Sequence, residues 1–306
     1  MISKRYKKYK NFGKCLEISN GTVKALVTVD VGPRIIFYGF KGFNFMFEDT
    51  ERQIFQEGEF FDRNYRPGEK WFIYGGHRLW KAPEDWASYT PDNYPVKVVR
   101  LENGAEFYSR TNEVTGLIAG MKVLMDEDGS LEITHSFKNV GEEPVRLSLW
   151  ALSVLRPGGT EVIPMNCEDT GFLPNKNLVI WPYNDLKDKR FSLRERFSLL
   201  KQSKKADRPF KIGMNNLHGW AAYFAGGNLF VKKFPVEEGI YQDMHCNFET
   251  YTSNLMLESE SLSAERTVLP GERTEYVENM YVFKDVQTDL SDESAIAATM
   301  KSLNLF

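Results

Sequence analysis

The sequence predicts an all-β protein, a large antiparallel β-sandwich with few helices. Apolar and polar residues alternate with a period of two along many short segments, aromatic residues make up 14% of the chain, and helical patterns do not recur between these segments. Strands without intervening helices are typical of antiparallel sheets, and aromatic side chains favour strands. The 306 residues contain no internal repeat and no low-complexity linker, so we expect a single domain over residues 1–306.

The predicted strands are spread along most of the chain and are joined by turn sequences. The segments with a strand pattern are 22–31, 34–38, 121–125, 131–137, 145–155, 254–260, 265–269 and 275–283. Asp128-Gly129 accommodates the positive φ of a tight turn, so the third and fourth segments predict a hairpin. Pro270-Gly271 predicts a turn between the last two segments.

Two helices are predicted. Ser192 and Glu195 form a capping-box pattern that predicts a short charged helix to about Lys201, inside a surface insertion over residues 185–211. Ser291 is the predicted cap of a C-terminal helix over residues 291–303, whose apolar residues share one face.

Composition excludes several classes of function. A formal net charge of −3 and the absence of a Gly-rich phosphate loop indicate no nucleic acid or nucleotide partner, and no apolar run is long enough to span a membrane. The basic N-terminus has no apolar stretch behind it, so it is not a secretory signal. Cys15, Cys167 and Cys246 form no CxxC pair, so we expect reduced, buried thiols, a cytoplasmic location and no thiolate metal site.

The segment 71–84 carries the densest set of chemically active side chains. Two adjacent glycines, Gly75 and Gly76, allow a tight turn or a close approach to a ligand. An imidazole, a guanidinium and an indole follow in a predicted loop, and then a carboxylate; these are His77, Arg78, Trp80 and Glu84. This mixture suits a polar, ring-shaped ligand such as a sugar.

Each of these residues also has a structural interpretation. His77 either acts on a ligand or fixes the loop by hydrogen bonds. Arg78 either clamps a ligand or forms a salt bridge with Glu84 or Asp85. Trp80 and Trp86 are stacking platforms or core residues. His135, by contrast, shares one strand face with apolar residues and is predicted to be a packed core histidine.

Glu249 is the main candidate carboxylate. If its segment is a strand, Asn247, Glu249 and Tyr251 point the same way, which suits a general base or an acceptor of sugar hydroxyls. Glu258 and Glu260 share a face of the next strand, which is either solvated or part of a cleft or cation site. The spacing of Glu249 from Asp243 and His245 matches no trusted metal motif, so no metal site is predicted.

Three further residues are candidates for the same cleft. Trp150 lies on the mixed face of its strand, beside polar side chains. His218 has loop-like neighbours. Lys232 and the following lysine project to opposite faces of their strand, so that one of them could reach the cleft.

The chain resembles the galactose mutarotase-like superfamily, and in particular a bacterial branch of it. The segments that carry the resemblance are Val31-Gly32-Pro33-Arg34-Ile35-Ile36 with Asn44, Gly75-Gly76-His77-Arg78-Leu79-Trp80 with Ala82-Pro83-Glu84, Ile133-Thr134-His135-Ser136-Phe137-Lys138-Asn139, Trp150-Ala151-Leu152, and Phe248-Glu249 with Leu269-Pro270-Gly271-Glu272. Their order and spacing cover nearly the whole chain. The resemblance implies the β-supersandwich fold of that superfamily.

The resemblance also implies roles for individual residues. Aldose mutarotases use a glutamate base and a histidine acid, and Glu249 falls at the base position while His77 falls near the first histidine. Their second histidine lies about where this chain has Trp150, which leaves His77 or His218 as the acid. Arg34, Arg78 and Trp80 would hold the substrate, together with Glu84 and Lys232 at the cleft.

Three functions follow from these observations. The first is an aldose 1-epimerase-like isomerase or another carbohydrate-active enzyme acting on a sugar or sugar acid; the same fold also hosts lyases, so fold alone does not decide the reaction. The second is a non-catalytic carbohydrate-binding protein. The third is a structural β protein without a ligand. We expect a small-molecule carbohydrate partner, no cofactor, and a monomer or homodimer.

Overall fold

A computed structural model describes residues 1–303 and contains two large antiparallel sheets that pack face to face. The first sheet has the spatial order β1 (Ser3–Lys8), β2 (Lys14–Ser19), β3 (Val23–Thr28), β4 (Ile35–Phe40), β8 (Gly76–Ala82), β13 (Val145–Leu155), β22 (Leu257–Leu262), β21 (Phe248–Thr252), β18 (Phe210–Met214) and β15 (Leu178–Ile180), with β5 (Phe43–Asn44) beside β4 and β23 (Arg266–Val268) beside β13. The second sheet has the order β16 (Phe191–Leu193), β17 (Phe197–Lys201), β14 (Thr160–Pro164), β19 (Trp220–Ala225), β20 (Asn228–Lys233), β24 (Arg273–Phe283), β12 (Leu131–Asn139), β11 (Leu117–Met125), β10 (Gly104–Thr111) and β9 (Lys97–Arg100).

Few residues lie outside these sheets in regular structure. The smaller elements are the strand pair β6 (Phe55–Gln56) and β7 (Trp71–Phe72), the helices α1 (Glu59–Asn64), α2 (Gln242–His245) and α3 (Glu293–Ser302), and two 3-10 turns at Lys10–Phe12 and Trp86–Ser88. None of the helices within residues 1–303 has the length and apolar character needed to cross a bilayer.

The main core lies between the two sheets, where the inward faces of the strands meet. Leu149, Ala151 and Leu155 of β13 pack in one apolar cluster with Phe137 of the second sheet, because alternate strand residues point to the same face. Tyr38 ties the layers together, because its hydroxyl lies 2.9 Å from the carbonyl oxygens of Gly129 and Met280 across the core and shares its one proton between them. The predicted all-β antiparallel sandwich is therefore confirmed.

The strand predictions are largely confirmed, with shifted ends. The segment 145–155 is β13 at both ends, and the hairpin through Asp128-Gly129 joins β11 to β12, with a φ of +91° at Gly129. The ends of β13 are predicted accurately because its apolar pattern continues over eleven residues, and both faces of the strand are buried along most of that length.

The helix predicted from Ser192 to about Lys201 is wrong. This segment forms β16 and β17, which pair with each other at the edge of the second sheet. Leu200 of β17 points into the main core while Phe197 and Leu199 pack on the opposite face of the sheet, so a period of two outweighs the capping-box pattern.

The C-terminal helix is confirmed, with a different cap. Asp292, and not Ser291, accepts a hydrogen bond from the first turn of α3. Ile296 and Met300 of α3 cover the outer face of the second sheet, beside Phe197 of β17. The part of the outer face of the second sheet that lies under α3 is thus apolar and covered.

Gly75 and Gly76 serve a close approach between backbone segments. Both have positive φ values, +93° and +74°. A Cβ atom on Gly76 would lie 2.6 Å from the carbonyl oxygen of Ile35, and one on Gly75 would lie 2.2 Å from that of Phe47. The approach is to neighbouring chain segments, to β4 for Gly76 and to the segment after β5 for Gly75.

Candidate functional site

The outer face of the first sheet collects charged and aromatic side chains from five adjacent strands. Phe248 and Leu257 point into the main core, so their neighbours Glu249 and Glu258 point away from it. The residues that define this charged face are Arg78, Trp80, Trp150, Lys211, Glu249, Glu258 and Glu260. Glu249 of β21 lies opposite Glu260 of β22. Tyr251 of β21 lies between Lys211 of β18 on one side and Glu258 of β22 on the other.

Lys211 is the centre of this face. Its Nζ atom lies 2.7 Å from Oε2 of Glu249 and 3.2 Å from Oε2 of Glu260. The same ammonium lies 4.6 Å from the ring of Trp150, and the indole Nε1 of Trp150 donates a 3.0 Å hydrogen bond to Glu260. One lysine therefore holds two carboxylates in fixed positions, and an aromatic ring holds the lysine.

Burial shifts the protonation of these groups towards neutral pH. Burial raises the pKa of Glu249 to about 8, with a further contribution from Glu260 and against the opposing effect of Lys211. Burial likewise raises the pKa of Glu258 to about 7, with Glu260 again contributing and Arg78 opposing. Although burial by itself lowers the pKa of Lys211, Glu260 and Glu249 raise it well above its usual value. Two carboxyl groups on one face thus exchange protons near neutral pH, which is the property required of a general acid and a general base.

Arg78 borders the carboxylates on the side of β8. Its Nη2 lies 3.8 Å from Oε1 of Glu258, so the salt bridge predicted with Glu84 or Asp85 is replaced by one with Glu258. Burial lowers the pKa of Arg78 to about 10, which leaves the guanidinium charged at neutral pH. Its Nε and Nη1 atoms have no hydrogen-bond partner among residues 1–303. Both donors are buried, so a ligand meets them only where the site opens.

Aromatic rings line the same side of the charged face. Trp80 is partly exposed and lies 5.6 Å from Trp150 and 5.0 Å from Tyr89, measured between ring centroids. The Tyr89 hydroxyl donates a hydrogen bond to the exposed carboxylate of Glu84. The charge of Glu84 also raises the pKa values of Glu258 and Glu260. The structure therefore brings Glu84, Trp80 and Trp150 to the charged face, as the sequence analysis proposed for the cleft.

A cavity of about 130 Å³ opens beside Arg78 and Trp80. Its lining also includes Asp92, Tyr94 and Arg110. Glu249 and Glu260 lie deeper and have no exposed surface, while Glu258 is 9% exposed. The carboxylates form the floor of the charged face, and none of them lines this cavity, which extends instead towards Met121 and Phe137 of the second sheet.

The segment 181–184 covers the other side of the floor. Trp181 lies 4.7 Å above the Lys211 ammonium, and the side chain of Asn184 bonds to the Lys211 backbone. These residues belong to no strand or helix. Because irregular segments move more readily than sheets, this cover is the part of the site best able to open.

A strained segment lies next to the floor, just before β21. Asp243, Met244 and His245 have φ values of +48°, +58° and +67°, so three consecutive non-glycine residues of α2 adopt left-handed backbone. Such conformations are costly and cluster at functional sites. The charge of Asp243 also contributes to the raised pKa of Glu249.

His77 lies on the opposite face of β8 from Arg78, and the structure does not bring it to Glu249. It belongs to a strand and not to a loop, and it is fully buried between the sheets. Its Nδ1 lies 3.0 Å from the hydroxyl of Ser153, and its Nε2 lies 2.8 Å from Nε2 of His135. A strand that begins at Gly76 would place His77 on the same face as the apolar Leu79, so the alternation of the sequence could have predicted the buried position of His77. The predicted core position of His135 is where the structure places it.

Three other predicted site residues also lie away from Glu249. Lys232 is fully buried between the sheets and donates a 2.7 Å hydrogen bond to the carbonyl of Ala151. His218 lies in the exposed turn between β18 and β19, with its Nε2 3.1 Å from the Met165 carbonyl oxygen. Arg34 is buried and its Nη2 contacts both carboxylate oxygens of Asp92 at 2.7 and 2.8 Å.

Sequence reasoning missed Lys211. The assignment of residues 185–211 to an insertion hid the alternation in Phe210–Met214, where Lys211 stands between Phe210 and Ile212, both in the main core. The expectation that all three thiols are buried is wrong for Cys167, which is exposed.

We expect Glu249→Gln to stabilise the protein at alkaline pH. The pKa of Glu249 is higher in the folded chain than the roughly 4.3 of an unfolded glutamate, so its contribution to folding stability is complete below that value and is lost as pH rises through about 8. Glutamine never ionises, and Lys211 keeps Glu260 as its counterion. Thermal unfolding at pH 5 and pH 9 should show the variant gaining several degrees in Tm over the wild type only at pH 9. An equal difference at both pH values would contradict the shift.

Comparisons with known proteins agree on the fold. No family model matches the chain, and no curated protein matches it in sequence. Among solved structures, a putative aldose 1-epimerase from Klebsiella pneumoniae is 13% identical with a TM-score of 0.59, covering 99% of this chain and 87% of that one. A galactose mutarotase-like protein from Lactobacillus casei is 9% identical with a TM-score of 0.56, covering 88% and 99%. A putative mutarotase from Salmonella typhimurium is 13% identical with a TM-score of 0.52, covering 92% and 94%. The chain has the galactose mutarotase-like fold.

Proposed function

We propose that the protein binds a neutral monosaccharide at the charged face and exchanges its anomers by proton transfer. The observation that supports this most is the pair of carboxyl groups, Glu249 and Glu258, whose pKa values are raised to about 8 and about 7 on one face of a mutarotase-like fold. General acid–base catalysis is most efficient when the pKa values of the acid and the base lie near the working pH.

In this proposal the two carboxyl groups have opposite roles. The Glu249 carboxylate accepts the proton of the anomeric hydroxyl, while the protonated Glu258 donates a proton to the ring oxygen as the bond between that oxygen and the anomeric carbon breaks. Rotation of the open-chain aldehyde and the reverse proton transfers close the ring as the other anomer. Lys211 positions Glu249 through their 2.7 Å contact. His77 takes no part, because the sheet separates it from the charged face.

The charges of the site favour a neutral sugar over a sugar acid. Glu84, Glu249, Glu258 and Glu260 supply four carboxyl groups, and Arg78 and Lys211 supply two cations. An acidic or phosphorylated sugar would add negative charge beside buried carboxyl groups whose pKa values are already raised, which is unfavourable at low dielectric. The unbonded donors of Arg78 and the partly exposed ring of Trp80 supply hydrogen bonding and stacking for hydroxylated ring carbons.

A non-catalytic sugar-binding protein is the second candidate function. It is favoured by the complete burial of Glu249 and Glu260, which a ligand reaches only if the cover at residues 181–184 opens. A sugar bound on the exposed side of Trp80, above a closed floor, would not reach Glu249.

Proton NMR of freshly dissolved α-anomers tests both candidates. Neutral aldoses and uronic acids would be followed with and without protein between pH 6 and 9. We expect faster exchange for at least one neutral aldose and none for the acids. Because the pKa of the base Glu249 lies above that of the acid Glu258, the reactive state, with Glu249 ionised and Glu258 protonated, is a minor one whose population is greatest between about pH 7 and 8, where the rate should reach its maximum. Line broadening without exchange would support the binding protein instead. If no sugar changes either the spectra or the Tm, both candidates fail.

We also propose a cytoplasmic site of action. All three cysteines are free, and Cys15 and Cys246 are buried. Unpaired thiols fit a reducing compartment.

A further inference from the structure

Two histidines and a glutamate converge inside the sandwich, beneath the charged face. His77 Nε2 lies 2.8 Å from His135 Nε2 and 2.9 Å from Glu278 Oε1, and His135 Nε2 lies 3.5 Å from the same oxygen. The three residues come from β8, β12 and β24, and none has exposed surface. Three potential ligand atoms from two sheets therefore meet at one buried point.

The dimensions of this triangle fit a transition-metal ion. The three ligand atoms, the two Nε2 atoms and Oε1 of Glu278, lie about 1.8 Å from the point that is equidistant from all of them. An ion placed about 1 Å above that point, out of the plane of the three atoms, would lie about 2.0–2.1 Å from each, the usual length of Zn–N and Zn–O bonds. The imidazole centroids are 4.8 Å apart and their planes are inclined by 51°, so the rings meet end to end and do not stack face to face.

The two oxygens of Glu278 have separate surroundings. Oε2 accepts a 2.9 Å hydrogen bond from Ser261 and lies 3.3 Å from the Lys232 ammonium. Oε1 has no hydrogen-bond partner within residues 1–303 and faces the two imidazoles. Lys232 and Ser261 thus occupy one oxygen and leave the other directed at the centre of the triangle.

Hydrogen bonding alone satisfies the triangle poorly. If both Nε2 atoms carried protons, two N–H groups would oppose each other at 2.8 Å. If only one carries a proton, that proton serves either the other imidazole or Glu278, and one buried acceptor is left without a donor. Ser153, at 3.0 Å from His77 Nδ1, can accept a hydrogen bond from the N–H at that nitrogen, which leaves Nε2 without a proton and available as a ligand; this is the outer-shell arrangement common to metal-binding histidines.

We propose that His77, His135 and Glu278 bind one divalent transition-metal ion, with Zn²⁺ as the reference ion. Two imidazole nitrogens and one carboxylate oxygen form a ligand set that Zn²⁺ accepts, and a set of three leaves a position for a further ligand. The ion joins β8 of the first sheet to β12 and β24 of the second, so its effect is on folding and stability. This site lies on the inner face of β8, away from the carboxyl groups of the charged face, and it does not depend on the proposed reaction.

Metal analysis of the full chain tests this proposal. Protein produced with added Zn²⁺ and dialysed against a chelator should retain about one zinc per chain by mass spectrometry, since a buried ion escapes only on unfolding. Protein refolded from guanidinium with Zn²⁺ should have a Tm several degrees above that of protein refolded with a chelator. Co²⁺ added during refolding should give the visible absorption of cobalt bound to nitrogen and oxygen ligands.

The chain provides a matched control, because its other two histidines, His218 and His245, are exposed. The double variant His218→Gln, His245→Gln should keep the ion, and His135→Gln should lose it. Zinc lost in the double variant and kept in His135→Gln would show surface binding and overturn the proposal. If His135→Gln does not fold, the measurements on the wild-type protein test the proposal by themselves. Less than about 0.1 zinc per chain, together with equal Tm values after refolding with Zn²⁺ and with a chelator, would overturn the proposal.

Discussion

Glu249→Gln is expected to lower the rate of anomer exchange by about 10²- to 10⁴-fold, the usual contribution of a positioned general base. The glutamine keeps the shape of the side chain and a hydrogen-bond acceptor for Lys211, which lies 2.7 Å from Glu249 Oε2, but it cannot take the proton of the anomeric hydroxyl. The loss should therefore fall on kcat, with the sugar affinity changed less than about tenfold. Exchange rates from NMR and affinities from titration of the same sugar would measure the two effects separately.

Two further variants make this result specific. Glu142→Gln removes an exposed carboxylate in the turn before β13 and should leave the rate unchanged. Glu258→Gln should lower the rate by removing the proposed acid, and it should abolish the fall in rate on the alkaline side of the pH profile. A Glu249→Gln variant with the wild-type rate would show that Glu249 is not the base. If exchange were absent in the wild type as well, the binding function would be left as the candidate.

Gly76→Ala is expected to destabilise the fold by about 3 kcal/mol or more. The new Cβ would lie 2.6 Å from the carbonyl oxygen of Ile35 and 3.0 Å from the Cα of Ile36, both backbone atoms that cannot rotate away. The φ of +74° at Gly76 adds the strain of a left-handed alanine. Relief of the clash requires β8 and β4 to move apart at their single paired position, between Ile35 and His77. Urea unfolding would measure the change in the free energy of unfolding.

Gly68→Ala is the matched control. Gly68 has nearly the same φ, +78°, but no atom lies within 4 Å of a Cβ placed there. This variant should show only the conformational strain, about 1–2 kcal/mol. The difference between the two variants isolates the contact with β4. Equal costs would mean that β4 and β8 adjust freely and that the close approach at Gly76 is not required.

Several features could be predicted because they depend on neighbours in the chain. Period-two alternation sets the faces of β13 and β21, so the side on which Glu249 lies, opposite to Phe248, follows from the order of residues alone. The turn at Gly129 likewise depends on a local backbone conformation. At Ser192 the capping-box pattern predicts a helix while the alternation of apolar residues that follows predicts a strand. The burial of Phe197 and Leu199 favours the strand, and that burial depends on α3, more than 90 residues away.

Only the tertiary structure decided which charged groups meet. Lys211 reaches Glu249 because β18 pairs with β21, and His77 meets Glu278 because two sheets pack face to face; neither contact has a signal within a short segment of sequence. The raised pKa values of Glu249 and Glu258 have the same origin, since burial and the charges of neighbouring strands appear only when the sheets assemble. The sequence by itself therefore determined the fold class and the side chains available for chemistry. Strand pairing and packing determined their partners, because electrostatic interactions depend on distances in space and not on positions along the chain.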